Sequence, residues 1–509
     1  MDALGIDIGS TNVKVVLVRD DGTTLTAAHR PLTWFRDGPT AEQDGGAMWA
    51  AVRGALADAV AAVGPETVAA VGGIGLCGQY SSIVPVDAAG TPLAPMRLYL
   101  DQRGTPHCLD ILGRHEEAFL TWLDRHPIPP VGGGLALGHL LAFQHDEPAV
   151  HERTAAYLEP VDYVTARLTG TIAATQGSMF ASQLIDNRTL GATAYDAELV
   201  ALAGIDPSRL PPLVEVGSVV GTVLPEVADG LGLPTGVPVI TGMTDSCAGA
   251  HATGAEARGR VGIAIGTTGV VLSSVEALGV DLDHEVLAMP GLRTDRYLVS
   301  AENGIAGRAV EHVLAHLVHA TDALGDHGAA DPFAGFDAAL DASPAGARGV
   351  RFLPWLSGSL SPQADAAMRG GFVGVSLDSQ RVDLVRAAAE GVAHNLRWLL
   401  DPVEAFTGQR ADEVVLTGGA ARSAAWSQVL ADVLQRPVHV LQEPGHSGAR
   451  ASAGWALEQL GHGGGEWVRL DRTFEPDPST ADVHAHAQGQ FTSVFEALRP
   501  LGLGPVAPS

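Results

Sequence analysis

Positive charge is scarce in this sequence. Lys and Arg together number 31 against 58 Asp and Glu, a formal net charge of −27, and no basic run occurs anywhere. Affinity for a phosphate backbone rests on clustered cations, so this balance excludes a nucleic-acid-binding role. Cysteine is scarcer still. Cys77, Cys108 and Cys247 are the only three, they have no metal-ligand or redox-pair spacing, and their odd number argues against a disulfide framework. No uninterrupted apolar run reaches transmembrane length, and the N-terminus enters a strand directly, without a basic leader or a small-residue cleavage site. These absences predict a soluble, cytoplasmic protein with no membrane partner, and they leave an enzyme as the default class.

At 509 residues the chain exceeds one ordinary core, so two domains are expected. Short β-branched runs alternate with longer Ala/Leu segments of helical spacing, the pattern of α/β domains with helices packed on sheets. "ALGIDIGS" and "NVKVVLVRDDGTTLTAAHRP" read as a hairpin and a third strand, and "VAAVGGIGLCGQ" as a buried strand ending in glycines. About 93–214 reads as an irregular insertion rich in His and Pro. The order then restarts: "GVPVITGMTDSCAGA" is strand, turn and helix, "GIAIGTTGVVLSSV" is a second hairpin, and "ADEVVLTGGAARSAAWSQVLADVL" is strand, glycine turn and helix. The domains are expected at 1–240 and 241–480, with a tail or helix over 481–509.

The repeat carries the functional argument. Gly5, Ile6, Ile8, Gly9, Thr11 and Val13 recur as Gly262, Ile263, Ile265, Gly266, Thr268 and Val270. Two related domains facing each other leave a cleft, where small ligands bind. A tight turn of Gly, Ser and Thr aims backbone N–H groups and hydroxyls at one place, an anion nest suited to phosphate oxygens. Either turn alone reads first as an ordinary hairpin of small residues; the pair reverses that reading, because two opposed nests would hold a polyphosphate. Asp7 in the first copy adds a carboxylate suited to Mg²⁺ among phosphates. Ala264 stands in its place in the second.

With "AEQD", "LDQR", "LAFQHDEP", "DYVTARLTG", "FLPWLSG" and "EGVAHNLR" added in order, the sequence resembles the FGGY carbohydrate kinases, most of all their xylulokinase branch, up to about Leu460. The resemblance implies two actin-like, ribonuclease-H-like domains around a central cleft for ATP and a sugar or polyol. It also implies transfer of the γ-phosphate to a sugar hydroxyl, Mg²⁺ as cofactor, and dimers as a common assembly. Read on residues alone, Asp245 serves either as a helix cap or as a carboxylate at the cleft wall; the match of "TGMTDSCAGA" to the family's catalytic loop makes it the general base. "DIGSTNVK" matches the first phosphate motif, implying Asp7 for Mg²⁺ and Ser10, Thr11 and Lys14 for phosphate. "GTTG" matches the second, with Gly266, Thr267 and Thr268. "LTGGAARS" matches the adenosine motif, with Gly418, Gly419 and Ala420 against the nucleotide and Arg422 or Ser423 nearby.

On the sugar side the resemblance implies Gln79, Asp101 and Arg103 beside the acceptor hydroxyls, with Glu42, Gln43 and Asp44 in the same wall. Several positions depart from xylulokinases. Tyr80-Ser81 replaces the usual Met-His, Tyr99-Leu100 the usual Trp-Asn, Val161 the usual Lys, and Gln176 lies in an altered Ser-Asp-x-Ser pattern. The departures gather in the sugar-binding half, so another ketose, a sugar alcohol or a cyclitol is the alternative substrate, and a non-catalytic sugar- or ATP-binding regulator a more distant one. His312 and His316, at helical spacing, read as a wet or partly buried helix face rather than a metal site.

Overall fold

The computed structural model describes residues 1–463 and 467–504; the last five positions of the expected tail lie outside the described residues. The first sheet is built on strands β1 (Asp2–Ile8), β2 (Asn12–Arg19), β3 (Thr24–Pro31), β4 (Val71–Gly78) and β5 (Pro238–Ile240). β1 and β2 form the expected hairpin, β3 lies antiparallel on β2, and β4 runs parallel to β1 with β5 beyond it. The second sheet repeats this order with β6 (Val261–Ile265), β7 (Thr268–Val275), β8 (Tyr297–Ile305), β9 (Val414–Gly418) and β10 (Val438–Leu441). β6 and β7 are the hairpin, β8 is antiparallel to β7, and β9 and β10 follow in parallel.

Five helices frame the space between the sheets: α1 (Gly45–Ala61), α2 (Asp245–Thr253), α3 (Arg381–Thr407), α4 (Ala424–Leu434) and α5 (Ser447–Gln459). α2, which follows the last strand of the first sheet, packs on β6 and β7 of the second; α5, which follows the strands of the second sheet, packs on β1 and β4 of the first. Each half thus gives a helix to the other. The two helices touch, and Cys77, Ile240, Cys247, Ala248, Leu272 and Ala451 form a shared core around them. Cys77 and Cys247 are small buried groups of that core.

The contact is closer than ordinary side-chain packing allows. A Cβ on Gly5 would lie 1.8 Å from the Ala449 carbonyl oxygen, and one on Gly75 would lie 1.9 Å from that of Ser452. α5 meets these glycines with Ala449, Ser452, Ala453 and Ala456, one helical face of small residues. α2 is seated the same way: a Cβ on Gly262 would lie 2.2 Å from the Thr253 hydroxyl.

The stretch read as irregular differs from its expectation. It is a cap of short helices, including Thr105–Arg114, Ala118–Arg125 and Ala136–Asp146, packed around Trp122, Leu140, Phe143 and Tyr157, while its helix Pro160–Thr169 packs into the core of the first sheet through Val161, Tyr163 and Val164. Three of its prolines open helices rather than break loops: Pro106, Pro148 and Pro160 all sit in a first turn, where the missing N–H costs nothing. The helix Ala481–Leu498 is no free tail; Phe491 and Phe495 stack on Trp355, each at 4.9 Å between ring centroids.

The seat of α5 has a direct test. Gly75→Ala is expected to cost about 2–3 kcal/mol, lowering the midpoint of denaturant unfolding. An unchanged midpoint would show that the helix does not rest on the sheet backbone.

Candidate active site

The strand ends of the first sheet converge beside the start of α2. Asp7 lies opposite Lys14 on one side and Cys77 on the other. The two-residue strand Met243–Thr244 extends the edge next to Cys77 and Gly78, and the chain then turns into α2. Thr244 is the N-cap, its hydroxyl accepting the Cys247 N–H at 3.3 Å. Asp245, at the first helical position, is therefore not the cap. Its Oδ1 accepts the Ser246 N–H at 2.7 Å, and the carboxylate is open to the cleft.

Protein encloses Asp245 on its other sides. That enclosure, followed by the negative charge of Asp7 and, more weakly, Glu302, pushes its carboxyl up to about 7, against the pull of Ser246. Asp7 is also raised by burial, although the Lys14 ammonium, 3.8 Å away, draws it back. The first turn of α5 closes over Asp7: a Cβ on Gly448 would lie 3.2 Å from its Oδ2. Two carboxylates facing each other beside one lysine leave an excess of negative charge that suits a divalent cation.

The two hairpin turns are alike but not superposable. In the first, Ile8 pairs with Val13 and the Gly9 N–H bonds the Asn12 carbonyl at 2.9 Å. In the second, Ile265 pairs with Gly269 and the Gly266 N–H bonds the Thr268 carbonyl at 3.0 Å, so the turn is one residue tighter and Val270 does not occupy the register of Val13. The second turn is clamped from behind by Ala306 and Gly307, whose N–H groups bond the carbonyls of Thr267 and Gly266 at 3.0 Å each. At the end of β9, Gly418 has φ +90°, and a Cβ there would lie 2.5 Å from the Ile265 carbonyl oxygen, which fixes glycine at the position. Gly419 follows and Ala420 is buried beneath the turn. Ser423 is the N-cap of α4 and its hydroxyl donates to Asp337 at 2.6 Å.

A chain of amides joins the first turn to the opposite wall. Gln79 donates to the Gln43 Oε1 at 3.2 Å, and Gln43 donates to the Ser10 carbonyl at 2.9 Å. Asp101 accepts the Ala41 N–H at 2.9 Å, the Arg103 backbone N–H at 3.1 Å, and the Arg103 side chain through Nε at 3.0 and 3.1 Å and Nη2 at 2.7 Å; the same Nη2 also reaches Glu42 at 2.6 Å. Burial would raise Asp101, but these bonds outweigh it and hold the carboxyl below its ordinary range. Asp44 faces elsewhere, as the N-cap of α1, with Oδ1 accepting from Gly46 and Ala47. Tyr80 and Tyr99 stand around Asp245 and Glu302; burial raises both phenols, and the two acids raise them further. Ser81 is held at φ 58° with its hydroxyl buried and unpaired. Val161 and Gln176 have structural duties. Val161 fills the space over Gly78 and Gly242, and the Gln176 amide is consumed by Asn187, Thr189 and Gly191.

Glu302 is the residue that sequence reasoning missed. It lies on β8 beside Val270, hydrogen-bonds Thr268 of the second turn, and faces Asp245. Part of the signal that singled out Asp7, one acid in an apolar strand, is present in "YLVSAENGI" as well, but without the Gly-Ser-Thr turn beside it.

Comparison with known proteins shows which family the chain resembles. The models of the N-terminal and C-terminal domains of the FGGY family of carbohydrate kinases match residues 3–251 and 261–457. A xylulose kinase of Bacillus subtilis (strain 168) is 28% identical over 486 residues, covering 93% of this chain and 92% of that protein. A gluconokinase of the same organism is 25% identical over 447 residues, covering 86% and 83%. The crystal structure of xylulose kinase from Rhodospirillum rubrum superposes with a TM-score of 0.82 at 29% identity, over 99% of this chain and 100% of that one.

The raised Asp245 carboxyl has a cause that can be removed. Asp7→Asn is expected to move its titration, followed by carboxyl ¹³C NMR, downward from about 7. A titration that stays in place would separate the two acids.

Proposed function

The chain belongs to the FGGY family of carbohydrate kinases, and on that footing we propose that it transfers the γ-phosphate of ATP to a hydroxyl of a neutral ketose, D-xylulose being the first candidate. Its relatives include both xylulose kinases and gluconokinases, so the substrate's charge is the first question. The observation that carries the choice is the state of Arg103, whose guanidinium is spent on Asp101 and Glu42. An aldonate carboxylate arriving at this wall would meet acids without an uncommitted arginine to receive it. A neutral polyol meets carboxylates and amides that can each accept or donate to a hydroxyl.

In this reading the two turns hold the phosphates. Backbone N–H groups with Ser10, Thr11, Thr267 and Thr268 face the β- and γ-phosphate oxygens, Lys14 adds a cation, and the Gly418–Ala420 turn lets the adenosine approach the backbone. Asp7, with Asp245 opposite, would hold Mg²⁺, which supplies charge neutralisation for the phosphates. Asp245 accepts the proton of the attacking hydroxyl as the new O–P bond forms and the bond from the γ-phosphorus to the bridging oxygen breaks, releasing ADP. A base with its pKa near the working pH suits this task, because phosphoryl transfer asks mainly for positioning and charge stabilisation. Tyr80-Ser81 and Tyr99, at the places where xylulokinases carry other residues, favour a second reading in which the acceptor is another ketose, a sugar alcohol or a cyclitol.

The test is ADP release with Mg-ATP against pentuloses, hexuloses, pentitols, cyclitols and gluconate. Turnover of D-xylulose supports the first reading and turnover of another neutral polyol the second, whereas efficient turnover of gluconate would overturn the argument from Arg103. Asp245→Asn is expected to lower kcat by roughly 10³-fold while ATP binding persists. In the parent, kcat/KM should fall as the pH drops through about 7 and Asp245 takes up a proton; a rate flat across that range would remove it as the base.

A further inference from the structure

The two central helices begin at the catalytic cleft and end elsewhere. α2 runs from Asp245 to Thr253, and α5 from the turn against Asp7 to Gln459. At 1.5 Å per residue their far ends lie roughly 13–20 Å from the catalytic acids. There a second cleft of about 1130 Å³ opens, with His251 and loop 254–260 on one side, Arg293 and Arg296 on another, and Trp467 on a third.

Positive charge, scarce in the chain as a whole, collects here. Arg258, Arg260, Arg293, Arg296 and Arg469 all line the cleft, in a protein of net charge −27. Acids line it too, but each is already committed. Glu256 meets His251 at 3.1 Å and Arg293 at 3.5 Å, and Glu458 lies 3.7 Å from His251. Asp295 pairs with Arg296 at 3.2 Å, and Glu413 turns away to His439 at 3.0 Å. Arg258 and Arg260 are exposed, and among the described residues neither guanidinium has an ion-pair partner. Helix C-termini call for cations of their own. Arg260 answers that call at α2, because its Nη1 lies over the C-cap Gly254, 2.9 Å from where a Cβ would stand. Arg258 is surplus to it, whereas Arg293 and Arg296 are paired with Glu256 and Asp295.

A second observation points the same way. Among the described residues the Trp467 indole N–H is a buried donor with no hydrogen-bond partner; His251, only 6% exposed, sits beside it in the lining with Nδ1 3.1 Å from Glu256 and Nε2 3.7 Å from Glu458. Trp467 is held in place by an absent side chain: its ring lies on α5 where a Cβ at Gly454 would be 2.5 Å away. Buried polar groups are ordinarily satisfied. Exposed guanidinium groups beside an unsatisfied indole donor match a ligand that carries both a phosphate and further oxygens.

We propose that this cleft is a second ligand site, for a small phosphate ester, in which the exposed Arg258 and Arg260 take the phosphate and the Trp467 indole takes a remaining oxygen. The site bridges the ends of the two helices whose beginnings carry Asp245 and enclose Asp7, so its ligand would tie those helices together.

The test is isothermal titration calorimetry of the full chain with ribose 5-phosphate, and separately with inorganic phosphate, after the catalytic cleft has been saturated with Mg²⁺ and the imido analogue of ATP. Saturable binding of either probe is expected. Arg258→Glu, which alters an exposed side chain, and Trp467→Phe, which removes only the donor, should each weaken it at least about fivefold, the loss of one charge-assisted or buried hydrogen bond. Tighter binding of the ester than of inorganic phosphate assigns the indole donor to the sugar oxygens. Absence of binding by both probes up to about 20 mM, a range that reaches millimolar affinities, or binding that ignores both substitutions, overturns the site. The outcome is independent of which sugar the catalytic cleft phosphorylates.

Discussion

Everything in this protein is arranged around the contact of helix backbone with sheet backbone where α5 lies on β1 and β4. Because Gly5 and Gly75 carry no Cβ, the carbonyls of Ala449 and Ser452 come within a distance that no other residue permits. That approach brings the first turn of α5 against Asp7 and leaves room for α2, with Asp245 at its start, beside it. The two acids face each other because two helices lie closely side by side between two sheets. Dispersion and apolar burial in the shared core hold the pair, while the glycines set where it is held.

The duplicated halves have diverged in a way that matches a division of labour. The first turn carries an acid one strand position back and an amide chain through Gln43 to the opposite wall. The second carries Ala264 in place of that acid, is one residue tighter, and is braced from behind by backbone bonds. Its acid comes instead from the neighbouring strand, as Glu302. Negative charge is thus distributed around the cleft rather than mirrored across it, and Asp245, at the centre, feels both neighbours. A carboxyl raised by burial and then by like charges is sensitive to whatever cation enters the cleft.

Much of this was legible in the sequence. The hairpins, the repeat, Asp7 and Asp245 stood out because a polar residue or glycine turn interrupting an apolar strand violates the strand's own pattern, and such violations mark sites. The fold class followed from the alternation of strands and helices, and the family from the order of motifs. Other features stayed hidden for physical reasons. The role of "SGARASAGWALEQ" depends on glycines more than 370 residues away, and a run of small residues reads locally as a featureless helix. The prolines at 106, 148 and 160 looked like loop residues because a proline in a first helical turn and one in a loop share the same φ. Asp44 and Ser423 matched motifs, yet both are N-caps; cap and ligand contact draw on the same short polar side chains. Glu302 was overlooked because its strand comes after a turn that had already been explained.

The order in which the chain leaves the ribosome gives the exchanged helices one more meaning. β1 and β4 are complete within the first 78 residues, but the helix that covers their glycine face spans residues 447–459. Until that helix emerges, the first sheet presents an uncovered face of glycine with Ala3, Val16 and Val18. A nascent or truncated N-terminal half is therefore a naturally sticky object, and its protection during synthesis falls to chaperones or to speed rather than to its own fold. Nearly the whole polypeptide must be made before its first strands find their final neighbour.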